Sequence, residues 1–98
     1  MRYQVSVQFE FDPGKSDSNK AKHGIHFVEA QALWKSRHVL LSAKDALEKR
    51  YMVIGTISGA YWSAIITYRG AVIRIISVRR SSELEIDTYA EIAGQDDS

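Results

Sequence analysis

Two basic segments of the sequence carry most of the side chains that could transfer protons or hold an anion. In the first segment, residues 15–23, they are Lys15, Lys20, Lys22 and His23. The second segment, residues 69–80, contains no acid and four arginines: Arg69, Arg74, Arg79 and Arg80. RNA is cleaved without a metal ion when one group deprotonates the 2′-hydroxyl, another protonates the leaving oxygen and cations stabilise the developing charge. Histidine and arginine suit these tasks, since histidine titrates near neutral pH and arginine binds phosphate bidentately.

Helical spacing divides the first segment between two faces. Steps of four and three residues place one set together: Ser16, Lys20 and His23. The adjacent face carries another set: Lys15, Asn19 and Lys22. A histidine at the end of a helix also has a structural explanation, because a positive charge there is favourable beside the helix dipole. Both interpretations of His23 stay open at this point.

The arginines of the second segment have a structural alternative as well. On a regular strand Arg74 and Arg80 would point to one face of the sheet and Arg79 to the other. Acids that follow in the chain are available as ion-pair partners for any of them: Glu83, Glu85 and Asp87. The four arginines are therefore candidates for phosphate contacts or for internal salt bridges.

Several classes of chemistry are excluded or disfavoured. The chain has no cysteine, which excludes disulfides, thiolate metal ligands and a cysteine nucleophile. The histidines lack the spacing of a zinc site, and no glycine-rich phosphate loop occurs. We therefore expect neither a metal nor a cofactor.

Composition and charge indicate a small globular protein whose N-terminal part is basic and whose C-terminal part is acidic. The 98 residues favour one domain, 1–98, in which residues 94–98 are frayed. All 13 Lys and Arg residues lie at or before Arg80, together with only six of the 12 acids. A basic body of this kind favours a polyanionic partner, although a balanced solvated surface is the alternative. No apolar run suggests a signal peptide or a membrane span, so we expect a soluble, cytoplasmic protein.

Hydrophobic spacing and turn signals predict the elements that position these side chains. Residues 3–11 alternate as a strand, and Asp12 and Gly24 are placed to begin and end a first helix. This helix lacks an apolar stripe and must lie on the surface. A second helix is expected at residues 27–35. Four strand-like segments follow: 39–42, 51–57, 61–68 and 72–79.

Tight turns between the later segments predict an antiparallel meander. Residues 43–50 form a polar loop that could be partly helical. Ser82 and Glu85 make a capping-box pattern that begins a final helix. The prediction is an α+β domain whose helices pack against one antiparallel sheet.

An ordered set of short motifs resembles the BrnT family of bacterial toxins. The motifs are FEFDP at residues 9–13, KHGIHFVEA at 22–30, RYMVIG at 50–55 and RIISVRR at 74–80. The family pattern is also matched by Tyr68, Arg69, Glu85 and Tyr89. The resemblance extends from about Phe9 to Tyr89, over nearly the whole chain.

The resemblance implies a RelE-like single domain with an antiparallel β-sheet, two N-terminal helices and one C-terminal helix. It implies a ribonuclease that arrests translation and is neutralised by a BrnA-type antitoxin, through which alone it would reach operator DNA. The family motifs give catalytic candidates in this chain: His23, Lys22, Arg69, Arg79 and Arg80. They also give Arg74, Glu85 and Tyr89 as candidates for RNA contacts, and the helical spacing of the first segment adds Lys20 to these candidates.

Two other functions remain compatible with the sequence. The protein could be a non-catalytic module that binds nucleic acid through charge alone. It could also be a regulatory module that only binds an antitoxin. A catalytic-residue variant that keeps RNA binding would separate an enzyme from a binding module.

Overall fold

The computed structural model describes residues 7–43 and 48–94, which form three α-helices and a five-stranded sheet. The strands are Gln8–Glu10 (β1), His38–Ala43 (β2), Arg50–Ile57 (β3), Ala60–Arg69 (β4) and Val72–Arg80 (β5). The helices are Pro13–His23 (α1), Phe27–Ala30 (α2) and Glu83–Gly94 (α3), and a 3₁₀ helix, Gln31–Lys35, continues α2. The predicted α+β class is confirmed. The expected strand residues 3–6, loop residues 44–47 and frayed residues 95–98 lie outside the described chain, whereas Gly94 is still helical.

The strand order is β1-β5-β4-β3-β2, and the meander from β2 to β5 is antiparallel as predicted. The first strand corrects the prediction of a fully antiparallel sheet, because β1 pairs with β5 in parallel. Tight turns dictate the direction only of strands that follow each other in the chain. β1 and β5 are separated by the whole meander, so no turn signal specified how they pair.

Helix α1 lies on the surface and turns a polar face inward. Asp12 caps its first turn by accepting hydrogen bonds from two backbone N–H groups, and Gly24 ends it with a φ of 82°. Ser16 and Asn19 are the buried side chains of this helix. The Asn19 amide accepts from Val78 N at 3.1 Å and donates to Val78 O at 2.9 Å. It thereby pairs with the edge of β5 as a neighbouring strand would, beyond the point where β1 ends.

The two faces of the sheet are covered unequally. The core face packs against α2 and the 3₁₀ helix, and its fully buried side chains include Phe27, Leu33 and Ile66. The opposite face, here called the outer face, carries α3 above β2 and β3, where Ile54 and Ala93 are buried. Helix α3 therefore leaves the outer face of β5 accessible.

A β-bulge in β5 decides which arginines share that accessible face. Ser77 is paired with Ile65, but Ile75 is paired with the next residue of β4, so Ile76 is an extra residue on β5. An extra residue shifts the in–out alternation by one position. Before Ile76 the odd-numbered side chains of β5 face the core, and after Ile76 the even-numbered side chains face the core.

The bulge overturns the predicted alternation of the arginines. Arg74 and Arg79 both point to the outer face, whereas Arg80 is on the core face with Val78. The regular alternation of an ideal strand had placed Arg74 with Arg80 instead. A bulge between them reverses that arrangement and brings two guanidinium groups to one side of β5.

Candidate active site

A groove lies between α1 and β5, where β1 no longer covers the strand edge. It encloses about 240 Å³ and is lined by Lys15, Ser18, Asn19, Lys22, His23, Ile76 and Ser77. Among the described residues, the lining contains Lys15, Lys22 and His23 as basic side chains and no acid. Asn19 fixes the helix against Val78, so the last turn of α1 stands directly beside the bulge. This arrangement can attract an anion and offers a histidine to it, and we call it the α1–β5 groove.

His23 differs from the other two histidines in its surroundings. The His26 ring lies 3.5 Å from carboxylate oxygens of both Asp17 and Glu29. The His38 Nδ1 is 2.8 Å from Ser36 O. His23 is exposed and, within residues 7–43 and 48–94, its ring makes no hydrogen bond or ion pair. Its imidazole can therefore exchange a proton with a ligand in the groove.

Only one of the two sets of side chains predicted to share a face of α1 lies together in the groove. The set of Lys15, Asn19 and Lys22 does line the groove. The set that grouped His23 with Ser16 and Lys20 does not come together in the groove. Ser16 is buried and accepts a hydrogen bond from Phe27 N.

Lys20 is directed towards α2. Its ammonium contacts Gly24 O at 3.2 Å and a Glu29 carboxylate oxygen at 3.4 Å. The groove lining does not include Lys20. The expected RNA contact of Lys20 is therefore not supported by its position, because it faces a different side of α1 from Lys22.

Arg79 stands on the outer face in a bidentate ion pair. Its Nη1 and Nη2 donate to the two Glu85 carboxylate oxygens at 2.8 and 2.7 Å. Nη1 also donates to Arg80 O at 3.1 Å. These bonds leave about two of the five guanidinium N–H donors for another acceptor. The side chain is 43% exposed, so an anion can reach those donors.

Glu85 anchors this arrangement from the first turn of α3. Its carboxylate also accepts from the Ser63 hydroxyl at 2.8 Å and from Ser82 N at 3.0 Å. Ser82 Oγ in turn accepts from Glu85 N, which confirms the predicted capping box. The Arg79 hydrogen bonds lower the pKa of Glu85 to about 2, with burial opposing and the Ser82 and Ser63 hydrogen bonds assisting. The network fixes the guanidinium of Arg79 in one place.

Glu85→Gln is expected to make stability less sensitive to acid. The pKa of Glu85 is lower in the folded protein than its ordinary value of 4.5, so its ion pair stabilises the fold above that pH. We expect the variant to lose about 2 kcal/mol of unfolding free energy at pH 7. The difference from the wild type should shrink as the pH falls from 4.5 towards 2. Urea unfolding at a series of pH values measures this, and a difference that stays constant with pH contradicts it.

The remaining arginine candidates occupy separate places. Arg74 is paired with Glu10 of β1 at 2.7 Å on the outer face. Arg80 places its guanidinium carbon 5.3 Å from the ring centroid of Trp62 on the core face. Internal partners for arginine were thus anticipated from the sequence, but Glu10 and Trp62 were not among those named.

Arg69 lies at the far end of the β4–β5 hairpin. Its cross-strand partner is Val72, whereas Arg79 is paired with Ser63. About seven residues of strand, or roughly 20 Å, therefore separate Arg69 from Arg79. The structure does not bring Arg69 to the position where Arg79 and the groove could hold one phosphate.

Tyr89, on α3, packs against neighbouring residues rather than facing an open surface. Its ring lies 5.5 Å from that of Tyr61, and its hydroxyl is 3.4 Å from Arg37 O. It also contacts the small core between α3 and the outer face. Glu85 and Tyr89 do share one helix face as their spacing predicts, but that face is turned to the sheet.

Sequence reasoning did not identify Ser63, and it did not identify the hydrogen bonds by which Asn19 holds α1 against β5. Ser63 is almost completely buried and joins Ser81 and Glu85 by hydrogen bonds. A lone serine in an apolar strand gives no such signal. The sequence placed Asn19 on one helix face with Lys15 and Lys22, but it did not indicate that the amide is buried against Val78.

Across residues 7–43 and 48–94, no three His, Asp or Glu side chains converge as a metal site would require. None of the helices within those same ranges has the length and apolar character needed to cross a membrane.

Comparison with known proteins gives one family. The family model described as "Ribonuclease toxin, BrnT, of type II toxin-antitoxin system" matches residues 11–85. No curated protein matches the chain. The matched range includes the residues that line the groove and the Arg79–Glu85 pair.

Proposed function

The chain belongs to the BrnT family of type II ribonuclease toxins, and we propose that it cleaves RNA in the α1–β5 groove without a metal ion. The observation that carries the proposal is that, among the described residues, His23 has no hydrogen-bond or ion-pair partner and shares the groove with Lys15 and Lys22 but with no acid. A cationic groove attracts phosphate and repels a divalent metal. Its side chains supply both a proton-transfer group and charge stabilisation.

His23 acts on the 2′-hydroxyl of the nucleotide before the scissile bond. The neutral imidazole takes the hydroxyl proton as the 2′-oxygen attacks phosphorus. The new bond joins the 2′-oxygen to phosphorus, and the bond from phosphorus to the 5′-oxygen breaks. The leaving oxygen receives a proton from Lys22. The products are a 2′,3′-cyclic phosphate and a 5′-hydroxyl.

Cations around the groove stabilise the phosphate while charge develops on it. Lys15 and Lys22 lie in the groove, and Arg79 is directed to the outer face beside Ser77. Glu85 keeps Arg79 oriented while its remaining donors stay accessible. Arg74 and Arg69 lie farther along the hairpin and contact other phosphates of the same strand. This division follows from their distances along β4 and β5.

Cleavage by the purified protein in EDTA tests the proposal. We expect the wild-type chain to cut RNA in the presence of the chelator and to leave the two product ends named above. Loss of cleavage in EDTA that is restored by Mg²⁺ contradicts the metal-free mechanism. RNA binding with no cleavage under any condition favours the non-catalytic module instead.

Membership of a type II toxin family implies an antitoxin partner. The partner we propose is a BrnA-type antitoxin that covers the α1–β5 groove, since this neutralises positive charge and blocks RNA at once. Through that antitoxin the toxin is carried to operator DNA, and free toxin arrests translation in the cytoplasm by cutting RNA. Co-expression with the adjacent small gene should yield a complex and protect growth. No complex at micromolar concentrations counts against this partner.

A further inference from the structure

Arg80 is held differently from the arginines on the outer face. The bulge at Ile76 places it on the core face, where it is the cross-strand partner of Trp62. Its guanidinium carbon lies over the Trp62 ring, 5.3 Å from the centroid. The indole packs against the main core, whereas Arg80 itself is exposed. One side of the guanidinium is thus backed by an aromatic ring and the other side meets solvent.

Arg80 lies a short distance along β5 from Val78, the residue that anchors α1 to the sheet. Val78 is fastened to Asn19, which lines the groove, and Arg80 follows Val78 by two residues on the same face. Two residues of strand span about 7 Å. Arg80 therefore lies about 7 Å along β5 from the residue that anchors α1, and its side chain is on the opposite side of the sheet from that of Arg79.

We propose that Arg80, backed by Trp62, stacks on the nucleobase next to the scissile phosphate and so helps to hold the RNA strand in position. The ligand is an unpaired base of single-stranded RNA. Unstacked RNA bases bind to arginine planes as well as to aromatic rings, and an indole beneath the cation holds that plane in place. This inference rests on the proposed function, because it takes the groove to hold the scissile phosphate.

Charge partners favour stacking over phosphate binding for this residue. Arg74 and Arg79 each form a close salt bridge, with Glu10 and Glu85. No acid pairs with Arg80 among the residues that the structure describes, and its ordered contact is with an aromatic face. A guanidinium that binds phosphate through its charge does not require an aromatic contact. A guanidinium that stacks on a base benefits from one, because the ring holds its plane in place.

The test measures binding of short 2′-O-methyl RNA strands, which the enzyme cannot cut. Each strand carries one abasic nucleotide at a different position. For the wild type, we expect one position at which loss of the base weakens binding roughly 5- to 100-fold. Arg80→Lys keeps the charge but not the plane. It should bind the intact strand more weakly by a similar factor and lose the dependence on that base.

Two further variants complete the comparison. Arg37→Lys makes the same chemical change at an arginine that donates to Ala93 O of α3 and has no assigned contact with RNA, so it should retain the dependence on the base. Trp62→Leu, with its fold checked by circular dichroism, should reduce that dependence. The inference is overturned if Arg80→Lys still discriminates against the abasic strand, or if the wild type shows no position-dependent loss. Because binding alone is measured, failure of RNA cleavage by the wild type would count against the proposed function separately.

Discussion

Replacing His23 with asparagine is expected to reduce RNA cleavage by about 10²–10⁴-fold, the usual contribution of a positioned general acid or base. His23 is the histidine that the structure places in the cationic groove, and its ring has no partner within residues 7–43 and 48–94. Asparagine preserves polarity but cannot exchange a proton at neutral pH. Single-turnover cleavage of a short RNA measures the change in the chemical step.

A matched substitution separates proton transfer from the loss of any histidine. His26 lies outside the groove, between Asp17 and Glu29. His26→Asn should therefore cleave RNA at nearly the wild-type rate. Equal rates for His23→Asn and the wild type would show that His23 only completes the charge at the end of α1.

Arg79→Ala is expected to lower the cleavage rate by about 10²–10³-fold and to relieve growth arrest. Removing one preorganised donor that stabilises transition-state charge has an effect of this size. Arg79 keeps about two donors beyond its bonds to Glu85 and Arg80, and these are the ones assigned to phosphate. Arg79→Lys should recover only part of the rate, because lysine lacks the planar fork.

Stability must be separated from catalysis in this experiment. Arg79→Ala leaves the Glu85 carboxylate without its main partner, and a partly buried unpaired charge is destabilising. The double variant Arg79→Ala/Glu85→Gln removes that carboxylate charge. If the folded double variant cleaves RNA at the wild-type rate, Arg79 is a structural residue and not a phosphate ligand.

Local features of the fold were readable from the sequence because each depends on near neighbours. Asp12 and Gly24 bound α1, and Ser82 with Glu85 begins α3, since caps satisfy backbone groups within a few residues. The turns of the meander were likewise encoded by Gly59 and Gly70, both of which have positive φ. The parallel pairing of β1 was not readable, because it joins segments about sixty residues apart.

The candidate site was only half predictable for the same reason. Helical spacing correctly grouped Lys15, Asn19 and Lys22, but it could not show that β5 forms the other wall. The bulge at Ile76 carries no glycine or other local signal. The bulge nevertheless places Arg79 on the same face as Arg74 and Arg80 on the other face, which is the reverse of the arrangement in a regular strand. It thereby determines which of the two arginines we assign to phosphate.

Removal of one oxygen atom, the 2′-hydroxyl oxygen, from the substrate tests the central claim most directly. Two RNA strands are compared in EDTA with the wild-type protein, one natural and one with a 2′-deoxynucleotide before the scissile bond. If side chains of the α1–β5 groove activate the 2′-hydroxyl, only the natural strand is cut there, and it yields a 2′,3′-cyclic phosphate and a 5′-hydroxyl. Cleavage of the deoxy-substituted strand at the same bond would contradict the account, because no 2′-oxygen would be present to attack.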